Sequence, residues 1–116
     1  MEIIKTSREL TIREKYAMTK GANVRKMSDC AGTVLEIEAW ALYKDWNEKD
    51  QKDNEILSIL TKDKEIFATI SETFKREFFD MWDMFVSSGE TLDEIAIVSG
   101  TSKAGRPFIT CTLAEI

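Results

Sequence analysis

Trp40, Trp46, Phe67 and Phe108 lie in strand-like stretches at positions whose alternation turns them away from the neighbouring aliphatic residues. Lys103 and Arg106 flank Gly105 within 99–113, a stretch without an acid, and Lys44, Arg25 and Lys26 add further cations. Exposed ring faces stack on flat bases and cations pair with phosphates, so this set suits an unpaired nucleic-acid strand. Each stacked base contributes roughly 1–3 kcal/mol by alanine substitution. Plainer roles stay open for the same residues. Trp40 could pack beneath Leu10 or Tyr16, and Lys103 and Arg106 could be solvated hairpin charges. Phe74, Phe78, Trp82 and Phe85 repeat at helical spacing and read as core. Tyr43 follows the core parity of its strand unless a bulge breaks it.

Catalysis finds little footing. The chain has no histidine, which removes Ser-His-Asp and Cys-His arrangements and histidine-held zinc. Two cysteines, Cys30 and Cys111, are too few for a four-thiolate site or a disulfide scaffold. Asp45, Asp50 and Asp53 lack the spacing and the glycine of a calcium loop, and no glycine-rich phosphate loop occurs. The expectation is a binding protein, not an enzyme, with no cofactor and no metal. No apolar run approaches the ~20 residues that span a bilayer, and the first residues hold no signal-peptide core. A cytoplasmic location without membrane contact is expected.

The net charge of −5, from 16 Lys and Arg against 21 Asp and Glu, argues at first against a phosphate-rich partner. Its distribution argues otherwise. Residues 1–30 hold seven cations and four acids, whereas 31–70 hold five and nine, and 71–116 hold four and eight. Positive charge therefore collects in an N-terminal arm and in the 102–106 loop. Screening over about 10 Å lets such patches act locally.

These residues need elements to position them. The pattern predicts a short helix over 9–20, a loop over 22–32, and a long strand over 33–46. A charged loop over 47–54 follows, then strands over 55–61 and 65–70. Ser71 is a natural N-cap for a helix over 71–88, which Gly89 ends. Strands over 94–101 and 106–113 close the chain around the 102–105 turn. Three strands, a helix and two strands make the element order of the OB-fold, a five-stranded barrel plugged by its helix. The expected fold is thus mainly β, one OB-fold domain over 1–116, with a helical, basic arm over 1–30 and a barrel core over 33–113. At 116 residues a single domain is the natural reading.

Three stretches also resemble a known family: 10–19 (LTIREKYAMT), 56–61 with 65–69 (ILSILT, EIFAT), and above all 98–106 (VSGTSKAGR). They are similar to small single-stranded DNA-binding proteins of bacteriophages that infect Gram-positive bacteria. The resemblance implies an OB-fold protein that coats and protects single-stranded DNA during phage replication inside the bacterial host cell. Many such proteins recruit partners through an acidic tail. Residues 114–116, Ala-Glu-Ile, do not match one, and recruitment by that route is not expected. Single-stranded DNA is the expected partner, with replication proteins and a second copy of the chain, as a homo-dimer, left open. The rival reading is a small acidic OB-like phage protein that binds and inhibits a host protein such as a nuclease. Stoichiometric capture of a protein without oligonucleotide affinity would favour it.

Overall fold

The computed structural model describes residues 1–114. Seven strands and two helices follow in the order β1 (Glu2–Thr6), α1 (Ile12–Lys20), β2 (Val24–Lys26), β3 (Val34–Asn47), β4 (Lys52–Thr61), β5 (Ile66–Thr69), α2 (Glu72–Ser87), β6 (Glu94–Thr101) and β7 (Pro107–Leu113). The architecture is mixed α/β, a curled half-barrel sheet with two helices, instead of the mainly β fold expected from the pattern. The five anticipated strands and the helix between the third and fourth are present. Two further strands, β1 and β2, have no pattern of their own. β1 forms by pairing with β3 at 41–44, and β2 by parallel pairing with β5.

The sheet runs β2-β5-β4-β3-β6-β7, with β1 on β3 as well. β3 is the hinge of the curl. Its first residues pair with β6, and its remainder pairs with β4. Between Ile37 and Ala39 the register advances two residues on β3 against one, Thr61 to Leu60, on β4. That extra residue, Glu38, makes a bulge, and a bulge reverses which face the following side chains take. Leu35 and Ile37 therefore share the inner core with Trp40 and Leu42. Ala39 and Ala41 turn outward, beneath Leu10 and Met18.

Both helices are set by local sequence and then by burial. Thr11 caps α1 through a reciprocal pair of bonds. The Glu14 amide donates to the Thr11 hydroxyl at 3.1 Å, and the Thr11 amide to the Glu14 carboxylate at 2.9 Å. The helix so starts at Ile12, later than the pattern suggests. Ser71 caps α2 by accepting from the Phe74 amide. Phe74 and Phe78 of α2 are fully buried against the inner face. Lys75 is buried too, off the apolar stripe as it is. Its ammonium donates at 2.8 Å to the Glu55 carbonyl and to the Glu72 carboxylate, which ties α2 to β4.

Candidate nucleic-acid interface

The two ends of the curl do not meet. Among the described residues β7 pairs with neither β2, at the opposite edge of the sheet, nor β5 beside it. An open, mainly apolar cleft of about 770 Å³ lies between β5 and β7, walled by Ile56, Ile70, Pro107 and Phe108, with Tyr43 at its floor and Lys26 at its rim. Such space, apolar with few polar groups, suits a flat ring that must leave water.

Phe108 stands at the start of β7 and is 37% exposed. Its cross-strand partner is Gly100. A methyl group at Gly100 would lie 2.6 Å from Cζ of Phe108. The ring thus lies directly on the glycine backbone, in space no other residue type leaves free. Next to it, the β6–β7 turn is held by Ser102: its amide donates to the Arg106 carbonyl at 2.8 Å, and its carbonyl accepts from the Gly105 amide at 2.9 Å. Gly105 has φ +79°, a left-handed turn conformation that glycine adopts without strain. Lys103 and Arg106 project from this turn, exposed, and make no ion pair among the described residues.

Arg25 and Lys26 share β2 but differ. The Arg25 guanidinium lies 3.4 Å from the Glu65 carboxylate and 5.0 Å above the Phe67 ring. Lys26 carries no acid partner among the described residues and borders the cleft. Trp46 (53% exposed) and Lys44 occupy the outer end of the β3–β4 ribbon, facing Asp53 and Glu55 of β4. They do not line the cleft.

Two of the expected platforms point inward. Trp40 is 3% exposed and makes edge-to-face contacts with Phe79 at 5.0 Å and Trp82 at 5.4 Å. Its expected outward direction is corrected by the Glu38 bulge. Phe67 is 1% exposed and packs in the inner core, whereas Ile66, core by parity, lies on the outer face under α1. Both faces of β5 are covered there, so alternation carries no direction. The same bulge sends Tyr43 to the cleft. Its hydroxyl donates to the Thr19 carbonyl of α1 at 3.5 Å, and burial, helped by Asp45, holds its pKa above the usual phenol value. The sequence pattern does not mark Tyr43, Ile56, Ile70 or Pro107 as site residues. Only the bulge could have signalled Tyr43, and it is a feature of pairing, not of residue type.

Cys30 and Cys111 are buried free thiols, and burial, with Glu77 nearby, pushes the Cys111 pKa up to about 12. Among the described residues no three Cys, Asp or Glu side chains gather to hold a metal ion. No helix among them is long and apolar enough to cross a membrane.

No curated protein and no solved structure matches the chain. A family model described as phage single-stranded DNA-binding protein matches residues 3–114, nearly its whole length. On that match the chain belongs to the Phi29 phage single-stranded DNA-binding protein family, a family of non-enzymatic binding proteins.

Proposed function

We propose that a single DNA strand lies in the cleft between β5 and β7. A base stacks on Phe108, and phosphates pair with Lys26, Lys103 and Arg106. The observation that carries this reading is the half-exposed Phe108 ring at the wall of a 770 Å³ apolar cleft, beside cations that make no ion pair among the described residues. Trp46 and Lys44 add a separate contact on the β3–β4 ribbon. Arg25, shared with Glu65, adds less than Lys26. Trp40 and Phe67 hold the core and touch no base.

The neighbour order β5-β4-β3-β6-β7, with α2 between β5 and β6 in the chain, supports an OB-type barrel left open at the β5–β7 seam. One continuous sheet supports a single domain. Coating a template in this way protects it while the phage replicates in the cytoplasm of its host. The acidic remainder of the surface limits adhesion to duplex DNA.

Titration with oligo-dT at two salt concentrations, beside oligo-rU, tests the proposal. Wild type binds with an affinity that falls with salt, and Trp46 fluorescence is quenched. Unchanged binding by Phe108→Ala would show that the strand lies elsewhere.

A further inference from the structure

The geometry points to a second DNA-contacting surface on α1, on which Tyr16 is a base platform between Arg13 and Lys20. The inference rests on the cleft reading and extends it. α1 buries Met18 against the sheet and leaves Ile12 77% and Tyr16 64% exposed. At 100° per residue, Ile12, Arg13, Tyr16 and Lys20 fall within about 100° of the helical wheel, opposite Met18. An apolar pair turned to solvent, bracketed by cations, reverses the usual amphipathic arrangement.

The charge of this face is positive without compensation. Glu14 is the one acid in the helix, and it is engaged by both guanidinium nitrogens of Arg8 at 2.9 and 3.1 Å. Arg13, Lys15 and Lys20 make no ion pair among the described residues. A polyanion complements this face, and the strand assigned to the neighbouring cleft is one.

Continuity with the cleft comes through Tyr43. The ring that floors the cleft contacts Thr19, the penultimate residue of α1. Tyr16 lies three residues before Thr19, about 4.5 Å along the helix axis at 1.5 Å per residue. A strand leaving the cleft over Tyr43 therefore meets Lys20 and then Tyr16. A phenol ring and two cations supply the two interactions that sequence-tolerant strand binding needs.

The test uses dT oligomers of increasing length with wild type, Tyr16→Ala, Tyr16→Phe, Arg13→Gln/Lys20→Gln and Phe108→Ala. Circular dichroism and sedimentation check fold and association. Tyr16→Ala should bind the shortest oligomers as wild type does and weaken the longer ones by roughly 5- to 150-fold, with Tyr16→Phe restoring them. Arg13→Gln/Lys20→Gln should flatten the salt dependence for long oligomers only. If Tyr16→Ala matches wild type at every length while Phe108→Ala weakens binding, the extension is wrong and the cleft stands. If Phe108→Ala also has no effect, the cleft itself is wrong. Loss of self-association in Tyr16→Ala with unchanged DNA affinity would make this face a contact between copies and overturn the proposal.

Discussion

Inner and outer faces of the curled sheet both carry aromatic side chains on strands, in opposite settings. On the inner face Trp40 is ringed by Phe78, Phe79 and Trp82 of α2, each met edge-on. On the outer side Phe108 rests on Gly100 with one face toward an open cleft. The inner ring is enclosed by protein, although its indole N–H finds no hydrogen-bond partner. The outer ring is held in place by a backbone that gives it a seat but no cover. A buried aromatic stabilises the fold, and a seated, uncovered one is free to stack on a ligand.

The largest expected effect is on the inner side. Trp40→Ala should lower unfolding free energy by about 3–5 kcal/mol, measured by denaturant titration, and DNA affinity of the folded fraction should be unchanged. An affinity loss larger than the stability loss would break the division of labour. On the outer side Phe108→Ala should show the converse, a loss of about 1–3 kcal/mol in oligo-dT affinity with little change in melting temperature. Lys103→Gln/Arg106→Gln should reduce the slope of log affinity against log salt by about 0.7 for each phosphate left without its cation. An unchanged slope would remove that loop from the interface.

Gly100→Ala sharpens the comparison further. Glycine's φ there is ordinary, so alanine strains no backbone, and the three atoms nearest its methyl group all belong to the Phe108 ring. The ring must tilt, at a cost of about 1 kcal/mol or more, and affinity should fall less than in Phe108→Ala. In a Phe108→Ala background the same change should have no further effect on binding.

The smallest effect is electrostatic. Arg8 holds the Glu14 carboxyl down to about 2 from an ordinary 4.5, its hydrogen bonds being the main cause and the Thr11 amide the next. The folded pKa lies below the unfolded one, so this stabilisation is present above pH 4.5 and is lost as pH falls toward 2. Arg8→Gln should flatten acid unfolding over that window. Because the pair is partly exposed, the change in melting temperature should be slight.

Much of the fold is legible in local pattern. Ser71 and the Phe74–Phe78–Trp82–Phe85 spacing place α2 within a residue at its start, and Gly105 marks the β6–β7 turn. β1 is not legible, because its five residues become a strand only against β3. In the proposed site, Phe108, Lys103, Arg106 and Lys26 stand out by residue type and spacing. Trp40, Phe67 and Tyr43 are misdirected by the pattern, because each direction depends on which face of the sheet is covered. Alternation says only that neighbours differ, not which one faces the core.

The sequence by itself determined the chemistry available: no histidine, few thiols, scattered aromatics, and a net excess of positive charge in the first thirty residues and one late loop. It also determined the order of the core strands and the place of α2, since those follow from local periodicity and capping. Only the tertiary structure decided which aromatics serve the core and which serve the cleft. The cause is the single extra residue at Glu38, which reverses the faces of β3 when that strand pairs with β4. A bulge exists only between two strands, and no property of one strand alone contains it.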